Sequence, residues 1–327
     1  MGEGKGLNAD QVDRAVGCLL GAACGDALGV PYEFGSRALP PDEQPRMLGG
    51  GLGPYAPGEY SDDTQMAVVI AQVASTSPDL RAEAALEAVA QGWIDWLQTG
   101  ASDVGVHTSA VLSAAAGSVT RGGTAARLRA AARERHTQTG RSGGNGSLMR
   151  TAPVALRHLD DPAALSEAAR SVSELTHPDE WAGDACVLWC QAIRTSILHG
   201  RGARPQDGLK WLPGDRRTRW VELLEAAEAH PPGCFAPNGS ARPALQAAWS
   251  ATCQQPHSHE EHPLVAGLSA AVHAGDDTDT VGAIAGALLG AQWGAEAIPE
   301  RWLRVVHGWP GMDAAGLRDL AVSVVQG

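Results

Sequence analysis

Residues 16–29 read Val16-Gly17-Cys18-Leu19-Leu20-Gly21-Ala22-Ala23-Cys24-Gly25-Asp26-Ala27-Leu28-Gly29, an apolar run in which glycine returns every fourth residue. That spacing matches the helical period, so the glycines lay a smooth stripe along one face of a helix over Ala9–Leu28. Glycine inside a helix costs about 1 kcal/mol relative to alanine. Its repetition on one face therefore points to a neighbouring helix packed very close. Gly282, Gly286 and Gly290 repeat the spacing within a second helical run, Thr280–Gln292. The likeness of the two runs admits duplication, or simply the same packing demand met twice.

Outward from these runs, the same periodicity covers Thr64–Ala74, Arg81–Leu97, Ala163–Leu175, Glu180–Leu198 and Val221–Ala229, and alternating strand patterns are nearly absent. Glycine, proline and asparagine cluster at Ala38–Tyr60, Thr139–Gly146, Arg201–Pro213 and Pro231–Arg242, which read as loops between helices. No long low-complexity linker interrupts them. The expectation is an all-α fold: a flexible N-terminus over residues 1–10, then one compact domain over 11–327.

With 44% hydrophobic residues in 327, the chain can bury a large core without covalent staples. The six cysteines form no CxxC pair and the first residues lack a signal-peptide pattern, so a reducing, cytoplasmic setting is expected. The apolar stretches Ala15–Val30 and Val281–Trp293 read as too short to span a bilayer, and the first contains Asp26. A formal charge of −12 repels nucleic-acid backbones. Neither a membrane nor a nucleic-acid scaffold is expected as a partner.

Two acidic clusters stand at helix starts. Ser61-Asp62-Asp63-Thr64 opens one apolar helix, and there the plain reading is capping, since Ser and Asp are preferred N-caps and first-turn acids complement the helix dipole. Asp276-Asp277-Thr278-Asp279-Thr280 opens another with more carboxylates than capping needs. Surplus charge of one sign repels itself unless something positive sits among it, and Asp277 and Asp279, two apart, can converge on one cation. Carboxylate and hydroxyl oxygens without nearby His or Cys favour Mg²⁺ or Mn²⁺ over zinc.

The loop Arg141-Ser142-Gly143-Gly144-Asn145-Gly146-Ser147 runs toward a helix without the Gly-Lys-Ser/Thr ending of a P-loop. It reads either as a nest of backbone N–H groups suited to a diphosphate or as a plain connector. His177 lies in a turn between helices, where a cap or surface role competes with a site role. Glu33 follows the first helix in a turn, where solvation is the simpler account. The run His257–His262 reads as an exposed loop more than a zinc site, and Trp181, Trp189 and Trp293 as core.

Taken in order, these motifs resemble the ADP-ribosylglycohydrolase family. The segment Gly21–Gly29 with Glu33 is similar to its opening helix and glutamate, and Ser61-Asp62-Asp63-Thr64 to its Thr-Asp-Asp-Thr motif. Gly144-Asn145-Gly146-Ser147-Leu148-Met149-Arg150 is similar to its Gly-Asn-Gly-x-x-Met-Arg loop, Thr176-His177 to its Thr-His step, and Asp277-Thr278-Asp279-Thr280 to its closing motif. The departures are Ser61 for the common threonine and Ser147 for a small apolar residue. The resemblance implies an all-helical domain with a central metal cleft. It implies two divalent cations, Mg²⁺ or Mn²⁺, held by Ser61, Asp62, Asp63, Asp277, Asp279 and Thr280. It further implies that Ser142, Gly143, Gly144, Asn145, Gly146 and His177 bind ADP-ribose, with Glu33, Asp62, Asp63 and Asp277 as the catalytic carboxylates. The implied reaction releases ADP-ribose from a modified side chain, arginine ahead of serine, on a protein or a small ADP-ribose conjugate. Metal-dependent phosphohydrolysis and non-catalytic ADP-ribose binding are the competing readings.

Overall fold

The computed structural model describes residues 6–118, 123–254 and 261–327. Its helices are α1 (Ala9–Gly29), α2 (Asp62–Thr76), α3 (Glu83–Thr99), α4 (Val106–Ala116), α5 (Thr124–Thr139), α6 (Ala152–Arg157) and α7 (Pro162–Glu174). They continue with α8 (Glu180–His199), α9 (Gly214–Ala229), α10 (Ala241–Thr252), α11 (Pro263–Val272), α12 (Thr278–Trp293), α13 (Glu300–Leu303) and α14 (Ala314–Gln326). Among the described residues the one strand ladder pairs β1 (His307–Gly308) with β2 (Met312–Asp313), antiparallel. The all-α expectation holds.

α1 and α12 form the central pair, and their glycine stripes face each other. Gly17 meets Gly290, Gly21 meets Gly286 and Gly25 meets Gly282, backbone on backbone. A methyl placed on Gly286 would stand 2.7 Å from the carbonyl carbon of Gly21, and one on Gly282 would stand 2.8 Å from that of Gly25. No residue larger than glycine fits between these helices at this distance. Around the pair pack α2, α8, α10, α11 and α14, so that α1 is buried from Ala15 to Gly29.

Three details depart from the sequence reading. With its 3-10 continuation to Gly35, α1 is long and apolar enough to cross a bilayer, yet its apolar stretch lies wholly inside the core. α4, α5, α10, α11 and α14 carry no periodicity that the sequence reading picked out. α5 is the clearest case, being rich in arginine and contributing only Thr124, Ala125, Leu128 and Ala132 to the interior. The segments 205–211 and 232–235 form 3-10 turns where only loop was expected. At the N-terminus, Asn8 and Gln11 make a reciprocal capping box, so Ala9 and Asp10 are the first turn of α1.

Candidate active site

The antiparallel α1–α12 contact brings the C-terminal end of α1 against the first turn of α12, where Thr278 Oγ1 donates to the Gly29 carbonyl at 2.8 Å. The chain then turns through a 3-10 segment, Val30–Gly35, which swings Glu33 over the start of α12. Carboxylate oxygens of Glu33, Asp277 and Asp279, one from each, lie within 4.8 Å of one another. This turn is strained. Phe34 (φ 46°) and Asp276 (φ 61°) both have left-handed backbone, and the Phe34 N–H donates to the Asp276 carbonyl at 2.7 Å. Such conformations are disfavoured for side chains like Phe and persist where the surroundings over-determine them.

Capping does not account for the acidic residues that open α2. That helix is capped from another element: Asp26, fully buried in α1, accepts from Ser61 N (2.8 Å), Thr64 N (3.0 Å) and Thr64 Oγ1 (2.6 Å). Ser61 caps nothing with its side chain and donates to Asp63 Oδ2 at 3.1 Å. Asp63 Oδ1 is buried without a hydrogen-bond partner. Asp277, the N-cap of α12, makes no side-chain cap bond either. Its Oδ2 accepts from Asn145 Nδ2 at 2.8 Å.

The consequence is a crowd of carboxylates with little to offset it. Burial first, then the charges of Asp277 and Asp103, pushes Glu33 up to about 8. Burial and Asp26 push Asp62 to about 8 and Asp63 well above the ordinary range. Asp279 rises strongly through burial and Asp63, Asp277 rises through burial, and Asp26 sits at about 6 despite its hydrogen bonds. The buried guanidinium of Arg150 stands behind Asp62 and Asp63, and burial lowers it to about 9.

The two clusters converge on one cavity of about 370 Å³, lined by Glu33, Asp62, Asp63, Asp277, Asp279 and Thr280 on its acidic side. Gly144, Asn145, Gly146 and His177 complete the lining next to Asp277, to which Asn145 is bonded. Two residues expected there are elsewhere. Ser142 is turned away and bonds His136 Nδ1 at 2.6 Å, and Gly143 faces the carboxylate of Asp179, so the glycine loop reaches the cavity through three residues. Ser61 is buried beside Asp63 rather than in the lining. His177 is buried, with neither a cap nor a surface role.

Sequence reasoning missed several lining residues. Asp103 and Gly105 come from the loop before α4, and His107 and Thr108 from its first turn. Asn238 is fully buried, accepting from Asp277 N at 2.9 Å and donating to the Gly275 carbonyl at 3.0 Å. It braces the closing motif, and neighbouring Gly239 reaches the lining. Nothing in the local pattern marked Asp103 or Asn238, whereas an aspartate inside an apolar helix, Asp26, was a readable signal. Of the run His257–His262, residues 257–260 lie outside the described residues. His262 caps α11 and stacks edge-on against Trp293.

A model of the ADP-ribosylglycohydrolase family matches residues 7–326. The chain belongs to the ADP-ribosylglycohydrolase family. It is similar to the ADP-ribosylarginine hydrolase Tri1 of Pseudomonas putida (strain GB-1), 28% identical over 299 residues, covering 90% of this chain and 74% of the relative. It is 27% identical over 303 residues to the ADP-ribosyl-[dinitrogen reductase] glycohydrolase of Rhodospirillum rubrum, covering 89% of each. A solved chain from an ADP-ribosylglycohydrolase-related protein complex superposes with a TM-score of 0.67 at 28% identity, covering 98% of this chain and 99% of that one. The enzyme class expected from the motifs is thus an ADP-ribosylglycohydrolase, and the buried acidic cavity is its candidate active site.

Proposed function

We propose that this ADP-ribosylglycohydrolase cleaves the N-glycosidic bond between ADP-ribose and a modified arginine side chain, with two divalent cations, Mg²⁺ or Mn²⁺, held between its acidic clusters. One observation carries the reading. Carboxylates from two distant helix starts share one buried cavity while neither cluster caps its helix through these side chains, and Asp63 Oδ1 has no partner at all. Buried carboxylates in this number are costly unless cations or protons accompany them. The oxygen-only donor set, Asp62 and Asp63 from one side with Asp277, Asp279, Thr280 and Glu33 from the other, suits hard ions, while the Ser61 hydroxyl holds Asp63 Oδ2. When bound, such ions supply Lewis acidity to ribose hydroxyls and lower the pKa of a water in the cleft.

The chain's own groups do the rest. Gly144, Asn145 and Gly146 line the cavity beside His177, and the two glycines keep that wall free of bulky side chains, a shape that admits a diphosphate. Asn145 ties that loop to Asp277, so the diphosphate wall and the acidic wall keep a fixed spacing. Asp63 and Asp277 stabilise positive charge developing at C1 of the ribose. Glu33 or Asp62, both in the cavity lining, would exchange a proton with the leaving nitrogen or with water. A guanidine carries positive charge as it departs, which a cavity rimmed by Asp103 and Glu33 receives more readily than an alkoxide. Both named relatives also favour arginine or a modified protein as substrate class, the first by its printed activity and the second by its protein target.

The test offers matched peptides, ADP-ribosylated on arginine or on serine, and follows released ADP-ribose by mass spectrometry, with and without chelator. Release from the arginine peptide that stops after EDTA and returns with Mg²⁺ or Mn²⁺ is expected. Faster release from serine overturns the linkage, full activity after exhaustive chelation overturns the metals, and cleavage at the pyrophosphate overturns the reaction type.

A further inference from the structure

Behind the glycine-loop wall runs a buried hydrogen-bond chain that the mechanism above does not use. Arg150 is fully buried, with its guanidinium carbon 3.9 Å from the ring centroid of Trp93. Its Nη1 donates to Met66 Sδ at 3.2 Å and its Nη2 to Thr176 Oγ1 at 2.5 Å. A guanidinium only donates. Thr176 Oγ1 therefore accepts from Arg150, and its single proton is directed to its other partner, His177 Nδ1, at 2.8 Å. Nδ1 then acts as an acceptor, which places the ring proton on Nε2. The opposite tautomer would aim an N–H at a hydroxyl already accepting from Arg150 and leave the buried hydroxyl proton unpaired, which is the costlier arrangement.

A doubly protonated ring is disfavoured by burial, by Arg150 and by His107, whose ring lies 4.6 Å away. His107 is itself engaged, its Nε2 meeting the Thr176 carbonyl oxygen at 2.8 Å. The Nε2 edge of His177 faces the glycine loop, since a methyl added at Gly144 would lie 3.4 Å from Nε2 and one at Gly146 would lie 3.3 Å from it. Both glycines line the cavity, whose titratable groups are otherwise mostly carboxylates. An anionic ligand group entering here needs a directed donor, and an imidazole that switched tautomers would supply one only part of the time.

We propose that Arg150 and Thr176 are positioning residues that hold His177 with its proton on Nε2, giving the glycine-loop wall a fixed hydrogen-bond donor for an anionic oxygen of the ligand. Only the identity of that ligand rests on the proposed function. The experiment is ¹⁵N NMR of the full chain labelled at histidine, first without ligand and then titrated with ADP-ribose, on wild type, Thr176→Val and Thr176→Ser. Wild type and Thr176→Ser should show His177 protonated at Nε2 alone. Thr176→Val, which keeps the side-chain shape without the hydroxyl, should show mixed tautomers and bind ADP-ribose roughly tenfold more weakly. A wild-type proton on Nδ1 overturns the proposal, as does Thr176→Val keeping a single Nε2–H tautomer with unchanged affinity. Wild type that fails to bind ADP-ribose refutes the substrate reading instead, while the ligand-free tautomers still decide the role of Arg150 and Thr176.

Discussion

Replacing Gly286 by alanine should destabilise the protein even though the same change in an ordinary helix is stabilising. Helix propensity alone favours alanine by about 1 kcal/mol. Against it, the new methyl would lie 2.7 Å from the Gly21 carbonyl carbon and 3.2 Å from the Ala22 nitrogen, where real contacts of this kind stop near 3.0 Å, and the Gly21 oxygen is nearer still. These neighbours are backbone, so no rotamer change relieves the clash and α1 and α12 must part along their length. Overpacking of this type costs about 1–3 kcal/mol, and a backbone seam belongs at the upper end. The expected net loss is therefore about 2 kcal/mol. Gly316, in the first turn of α14, is the control, because a methyl there meets Met312 side-chain carbons at 3.4–3.5 Å, ordinary van der Waals contact. Gly316→Ala should be neutral or stabilising by up to about 1 kcal/mol. Urea unfolding of the two variants and wild type measures both signs. Activity should also fall in Gly286→Ala, since Asp277 and Asp279 ride on α12 while Asp26 and the root of the Glu33 turn ride on α1. Equal stability of Gly286→Ala and wild type would refute the idea that a glycine-only seam sets the distance between these helices.

Asp63→Asn should lose most activity yet unfold no earlier than wild type in the metal-free state, because it removes a buried carboxyl whose ionisation is opposed by burial and like charges, while an amide oxygen can still accept from Ser61. Chemical denaturation beside kcat measurement separates this from a structural role, in which stability would fall with activity. Asp26→Ala should cost about 2–4 kcal/mol by stranding the Ser61 and Thr64 N–H groups at the start of α2, read by the same unfolding assay. The raised carboxyls also give a pH signature. Glu33 and Asp62 stand at about 8 in the folded state against roughly 4 when unfolded. The folded chain thus binds more protons than the unfolded one between these values. Metal-free stability should be greatest below about pH 4 as far as these groups are concerned, and decline as pH rises toward 8. Saturating Mg²⁺ or Mn²⁺ should flatten that decline, and a metal-free protein whose melting temperature climbs from pH 5 to 8 would contradict it.

Much of the site was legible because its chemistry is concentrated in short motifs. The excess of carboxylates at Asp276–Asp279 exceeds any capping need, and the structure places Asp277 and Asp279 beside Glu33 in the same cavity lining as the Asp62–Asp63 pair. What sequence could not supply was partnership. Periodicity showed that Gly17, Gly21 and Gly25 lie on one face, but not that Gly290, Gly286 and Gly282 are what they touch. Capping looked sufficient for Ser61–Asp63 because the actual cap, Asp26, comes from 35 positions earlier. Ser142 has the composition of a nest and the geometry of a brace on His136, a distinction made by one backbone turn. Asn238 and Asp103 act through contacts that no spacing rule encodes.

The glycine seam also bears on how such an enzyme could change its preferences. A position already at the smallest side chain and pressed against backbone has no gradual variation open to it, since the first step away is a full methyl in a space that holds none. The spine joining the two acidic clusters is for that reason a poor place for either natural drift or laboratory evolution to search. The mouth is different. Phe34, Leu52 and Val106 are 53%, 56% and 81% exposed, line the entrance, and are free to vary in size and polarity without moving a helix. Libraries aimed at new ADP-ribosyl conjugates should diversify those three positions and leave α1 and α12 untouched.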